Sequence, residues 1–138
     1  MGDWYVLAHI PASVERDAYN AVESYRLDDD GSIDTTYVFN VGAFDGPRKE
    51  LNPRGIVHDP ETNADWRMQF VWPFRAEYLI AYVDDDYTQT IIARTKRDMA
   101  WIMARTPTID DAALAALIDR LVALGYDREQ IRLVPQST

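Results

Sequence analysis

The hydrophobic and polar positions of this chain form a series of short runs with a two-residue period, followed by one run with a three-and-four period. In GDWYVLAHIP, Gly2 to Pro11, the residues Trp4, Val6, Ala8 and Ile10 fall on one face while Tyr5 and Leu7 fall on the other. Both faces of that strand are apolar, so both need cover. Asn20 to Leu27 alternates towards DDDGS, whose Asp30-Gly31 step suits a hairpin turn with positive φ. Ser32 to Phe39 alternates again, with Ile33, Thr35, Tyr37 and Phe39 on one side. After the Gly/Pro-rich GAFDGPRKELNPRG a fourth strand is predicted near Gly55 to His58. DPETN then turns the chain into ADWRMQFVW, where Ala64, Trp66, Met68, Phe70 and Trp72 share a face. PFRAE leads into Tyr78 to Val83, DDD into Tyr87 to Arg94, and TKRD into Met99 to Arg105, which makes eight strands.

From Ile109 the period changes. Leu114, Leu117, Ile118, Leu121 and Val122 recur at helical spacing, with Thr108 as the predicted N-cap, Asp110 and Asp111 in the first turn, and Gly125 where a C-cap belongs. Gln130 to Val134 predicts a short final strand. Successive strands joined by short turns leave two exposed edges unless the sheet closes. The pattern therefore predicts an all-β fold: an eight-stranded up-and-down antiparallel β-barrel, one C-terminal α-helix packed on its outside, and a short last strand. One face of Gly2 to Pro11 would line the interior and the other would lie under the helix. No repeat or linker divides residues 1–138, so one domain is expected.

Composition removes several alternatives. A net charge of −9, with no basic cluster longer than Lys96-Arg97, argues against nucleic acid or an anionic membrane surface as partner. With no cysteine there is no disulfide framework and no thiolate site. His9 and His58 are the only histidines and lie far apart, without metal-ligand spacing, so neither a metal nor another cofactor is expected. No nucleophile elbow, phosphate loop or dinucleotide motif occurs, and DDDGSID matches only the opening of a calcium-binding loop, so no catalytic residue is assigned.

Gly2-Asp3-Trp4 resembles the Gly-X-Trp motif of the lipocalins, VDDDY (Val83 to Tyr87) resembles their second motif, and Arg105 stands where their third has its arginine. ERDAYNAVESYRL, QFVWPFRAEYLIAYVDDDY, and WIMARTP followed by a helix and GYD are similar to the bacterial lipocalins of the Blc type, related to apolipoprotein D. The second motif departs from the family's Thr-Asp-Tyr, because Asp84, Asp85 and Asp86 precede Tyr87. The resemblance implies a carrier of fatty acid or lysophospholipid. It also implies an outer-membrane lipoprotein, although this chain shows neither a signal nor a lipid-bearing cysteine. A strand starting almost at Met1 suggests that a leader was removed. Periplasm or outer membrane is then expected, and cytoplasm otherwise, with membrane association only through an anchor in the precursor. A homodimer is a further possibility.

An eight-stranded barrel is just wide enough to be filled by side chains or to hold one small ligand. Tyr25, Tyr37, Phe39, Trp66, Met68, Phe70, Tyr78, Ile80 and Tyr82 are the candidate lining for a hydrophobic or amphiphilic molecule, with tyrosine hydroxyls available to a polar group. Trp4 and Arg105 are read as a structural plug, an indole under a guanidinium. Two other readings stay open. An enzyme on the same barrel would use a buried carboxylate or His58 on a lipid-like substrate, and a buried titratable pair in the pocket would favour it. A filled barrel acting through its surface would show an interior without a void.

Overall fold

The computed structural model describes residues 2–11, 16–59, 61–62, 64–71 and 74–137, with the backbone alone at 70–71 and 74–75. Among the described residues ten strands occur in the order β1 (Gly2–Ile10), β2 (Ala18–Leu27), β3 (Ile33–Val41), β4 (Arg48–Leu51), β5 (Arg54–Val57), β6 (Asp65–Val71), β7 (Phe74–Val83), β8 (Gln89–Ala93), β9 (Ala100–Ala104) and β10 (Arg132–Leu133), with helix α1 (Asp111–Ala123) before the last. β1 to β3 and β5 to β9 pair antiparallel in sequence, and β1 returns to β9 through Tyr5↔Ala104 to Ile10↔Ala100, closing an eight-stranded barrel. β4 adds to the edge of β3 above β5, and β10 to β1.

The parity of β1 corrects the sequence reading. Its pairing with β9 passes from Val6↔Met103 to Ala8↔Ile102, so Leu7 is an extra residue and the side chains change face there. Trp4 and Val6 belong to the cluster inside the barrel, whereas Ala8 and Ile10 belong to a second cluster with Ile91, Ile102, Leu117 and Leu121 beneath α1. One strand thus supplies the interior with its first half and the helix with its second. Beyond Tyr5↔Val22 the pairing of β1 and β2 stops and the C-terminal segment fills the gap. There Val134 N–H donates to Leu7 O (2.9 Å), and Gln136 Nε2 donates to Val6 O (2.8 Å) and Ala21 O (3.0 Å). His9 is fully buried with Nε2 3.1 Å from Arg132 Nη1, and His58 is exposed on the loop after β5.

Other boundaries differ for local reasons. β4 lies within the segment read as a Gly/Pro-rich loop, because four largely exposed residues, RKEL, carry no apolar alternation. β7 begins at Phe74 rather than Tyr78. The DDDGS turn forms with Gly31 at φ 84°, and Asp30 accepts from Ser32 N (2.9 Å) and from Arg54 Nη1 (2.8 Å). Helix α1 is capped by Asp110, not Thr108: the Asp110 side chain accepts from Ala113 N at 2.7 Å. At the other end Gly125, φ 104°, follows the C-cap Leu124; its N–H donates to Val122 O and that of Tyr126 to Leu121 O, a Schellman arrangement. The final strand shrinks to Arg132–Leu133 after a 3-10 turn at Arg128–Gln130.

Leu117 and Leu121 are the buried residues of α1, and Ala116 faces water. Burying such a leucine contributes about 1.5–3 kcal/mol, and an unpaired carboxylate in its place adds a desolvation cost. Leu121→Asp is expected to unfold the protein or expose dye-binding apolar surface, while Ala116→Asp melts within a few degrees of the parent. Equal melting of the two variants would show that the stripe does not carry the packing.

Candidate functional site

Four side chains form an aromatic layer across the barrel. Trp66 and Tyr78 face each other on paired strands and stack at 6.0 Å, the Tyr25 ring meets Trp66 edge-on at 5.4 Å, and Tyr78 lies 5.8 Å from Trp101. The Tyr25 and Tyr78 hydroxyls hydrogen-bond to each other. Between this layer and the end of the barrel closed by Trp4 is a cavity of about 160 Å³. Its inner end is Tyr25, Trp66 and Tyr78, its walls are Ile80, Val83, Thr90, Ile92 and Met103, and its outer end is Trp4, Arg105 and the largely exposed Tyr87. An apolar cavity of roughly 150 Å³ is known to hold benzene, so a single ring or the end of a chain fits.

Of the nine side chains expected to line a pocket, Tyr25, Trp66, Tyr78 and Ile80 are brought together at this cavity. Tyr37, Phe39 and Met68 are buried in the same interior cluster but do not border it; Tyr37 and Phe39 pack edge-on at 5.2 Å. The Phe70 side chain and Trp72 lie outside the described residues. Tyr82 is on the other side of the sheet. The pairing of β7 with β8 passes from Ile80↔Ile92 to Tyr82↔Ile91, a second bulge, and it places Tyr82 under α1 with Arg120 4.1 Å over its ring.

The plug forms as expected and is also cavity wall. The Arg105 guanidinium lies 3.8 Å over the Trp4 ring and donates to Asp3 O (2.9 Å) and Tyr87 O (3.3 Å). Gly2, φ 85°, runs so close beneath that an added Cβ would stand 3.2 Å from Arg105 Nη1.

Glu23 is a site residue absent from the expected lining. It is 5% exposed, directly across from Trp4 on β1 and Tyr37 on β3, and its carboxyl is close enough to Tyr25 and Tyr78 to act on both phenols. The alternation of β2 is the signal that places it, since Glu23 shares a face with Tyr25. Burial first, and the Glu23 charge second, hold both phenols well above the ordinary tyrosine range.

Residues 1–136 match the family described as lipocalin-like domain. The chain belongs to the lipocalins. Temperature-induced lipocalin-1 of Arabidopsis thaliana is 27% identical over 146 residues, covering 99% of this chain and 77% of the relative. The outer membrane lipoprotein Blc of Escherichia coli is 27% identical over 138 residues, covering 99% and 76%. Lobster apocrustacyanin A1 superimposes with a TM-score of 0.74 at 14% identity, over 99% of this chain and 77% of its own, and shares the fold. Lipocalins bind hydrophobic small molecules, and the cavity beside the aromatic layer is an apolar recess, open in part towards the exposed Tyr87.

The plug and the phenols can each be tested by measurement. Trp4→Ala should cost about 3–5 kcal/mol, as large aromatic truncations in cores do, and Arg105→Ala less, in denaturant melts. Tyr25 and Tyr78 hold their protons more tightly folded than unfolded. Their contribution to stability is therefore complete below the unfolded value of about 10 and is lost as pH rises towards the folded ones. Ultraviolet titration of phenolate should leave both silent until the protein unfolds in alkali; Tyr78→Phe would then lower the unfolding amplitude and leave the earlier phase unchanged.

Proposed function

We propose that this lipocalin binds and carries, or stores, a single-chain amphiphile of the fatty acid or lysophospholipid class without transforming it. The observation that carries the reading is the void: the barrel retains an apolar cavity of about 160 Å³ with Tyr25 and Tyr78 among its lining residues. A barrel filled by its own side chains would have none there. The cavity is smaller than the roughly 300 Å³ at which drug-sized pockets begin, so it suits the end of a chain better than a whole lipid. Longer chains would extend past the hydrogen bond between Tyr25 and Tyr78.

The enzymatic reading has the buried carboxyl it asked for in Glu23, but the groups that border the cavity favour binding. Glu23 stands behind Tyr25 and Tyr78, and His58 is exposed outside the barrel. A general base must reach the proton it abstracts, directly or through one water. The relatives named as outer membrane lipoproteins support a periplasmic or outer-membrane setting.

Each buried methylene contributes about 0.8 kcal/mol, and immobilisation takes back several kcal/mol, which leaves an expected dissociation constant on the order of micromolar. Titration of single-chain lipids from about 8 to about 18 carbons, read by tryptophan fluorescence with Trp66 as reporter, should show affinity rising with length until the enclosure is full. A flat series without heat of binding would end the carrier reading.

A further inference from the structure

The two ends of the cavity differ in access. At the inner end Tyr25, Trp66 and Tyr78 are buried, both tyrosine rings pack on Trp66, and the two phenol hydroxyls bond to each other. Tyr37, Phe39 and Met68, buried in the same cluster, fill interior that the cavity does not reach. The walls on β7, β8 and β9 are paired sheet, with Ile80↔Ile92, Val83↔Thr90 and Thr90↔Met103 opposite one another. A molecule passing through either would have to break ring packing or a strand ladder. At the outer end Tyr87 borders the cavity and is 68% exposed, so the way to solvent is there.

Tyr87 is itself unusual. It closes the turn from Asp84, donating its N–H to Asp84 O (3.0 Å), with φ at 56°, a conformation that glycine adopts without the cost a side chain incurs. The ring does not hold that turn. The Asp84 side chain does, accepting from Thr88 N (2.7 Å) and Gln89 N (3.0 Å), and Arg105 Nε donates to the Tyr87 carbonyl (3.3 Å). An aromatic side chain is thus kept in a backbone conformation that disfavours it, at the rim of an apolar recess, a place where such strain points to function. An amphiphile gains by burying its chain and loses by desolvating its head group. Its chain therefore goes inward, and its head stays at the rim, on the side where the Arg105 guanidinium lies between the Trp4 ring and the Tyr87 carbonyl.

We propose that the recess is a tail-first site whose mouth is Tyr87: a single-chain ligand enters past this residue, rests its apolar end on Trp66 and Tyr78, and leaves its polar end at the rim, with the Tyr87 ring over the methylenes next to it. The proposal rests on the carrier reading and adds an entrance and an orientation to it.

Because the chain has no cysteine, Asp85→Cys and Asp45→Cys each supply one thiol for a nitroxide label. Both positions are exposed; Asp85 is in the turn of Tyr87, and Asp45 is in the turn after β3, at the opposite end of the barrel. Dodecanoate is added to each labelled protein, and paramagnetic relaxation of its terminal methyl and of the methylene beside its carboxylate is read by NMR. The label at 85 is expected to relax that methylene several times more strongly than the methyl, and the label at 45 to do the reverse. In Tyr87→Gly, dodecanoate is expected to dissociate about tenfold faster, the worth of roughly two covered methylenes. The variant should melt no lower than the parent, because glycine suits the backbone there.

Equal or reversed relaxation of the two ends would overturn the proposal. So would a dissociation rate in Tyr87→Gly within about twofold of the parent. If dodecanoate binds and either result appears, the entrance and orientation fail and the carrier reading stands. If neither dodecanoate nor longer lipids bind the parent protein, both fail.

Discussion

A β-strand presents its side chains with a period of two, so a strand that is regular throughout has one inner and one outer set. β1 has to serve an enclosed interior along its first half and a docked helix along its second, and the extra residue Leu7 makes both assignments correct at once. Without that bulge Ala8 and Ile10 would point into the barrel and His9 would lie under α1. The second bulge, at Ala81, does the same for β7: Tyr78 and Ile80 remain inside, and Tyr82 joins the surface that the helix covers. Bulges also bend and coil the sheet, which a barrel needs in order to close. The position of the helix and the inner set of β1 and β7 depend on these two residues of slack, while β2 and β6 have register shifts of their own between Tyr19 and Val22 and between Met68 and Val71.

Inside, the decisive cost is that of burying Glu23. A carboxylate withdrawn from water is tolerated only where hydrogen bonds replace hydration. Tyr25 and Tyr78 stand beside it, and their rings pack with Trp66 and Trp101, so the same side chains bring polar neighbours and apolar bulk. Their raised pKa values keep both phenols neutral throughout the physiological range. The layer is thus packed ring on ring, with its two phenol hydroxyls bonded to each other.

Much of this is legible in the chain, because most strands obey the period that burial imposes. Ile33, Thr35, Tyr37 and Phe39 on β3, and Trp66 and Met68 on β6, point where alternation puts them. The helix is visible from Leu117 and Leu121. What escapes is whatever breaks the period. A bulge is a relation between two strands, set by Met103 and Ile102 opposite Val6 and Ala8, and nothing in GDWYVLAHIP alone announces it. Tyr82 is misplaced by alternation for the same reason. β4 is hidden because an exposed edge strand has no apolar face to betray it. Glu23 differs: its parity is plain in the alternation of β2, yet a charged residue in such a run is normally assigned to water.

The location of the cavity ties binding to folding more closely than a pocket at a loop would. Trp4 and Arg105 hold the barrel end shut, joining β1 to β9 and to the turn that carries Tyr87, and they are also its outer wall. A ligand that fills the space restores dispersion contacts that the void denies to Trp4, Ile92 and Met103. Binding then stabilises the native state by mass action, about 2.7 kcal/mol at a hundred times the dissociation constant. Because the void borders the plug, part of that gain acts on the contact that closes the barrel. The empty protein bears the cost of the void in the same place, so stability and occupancy rise together.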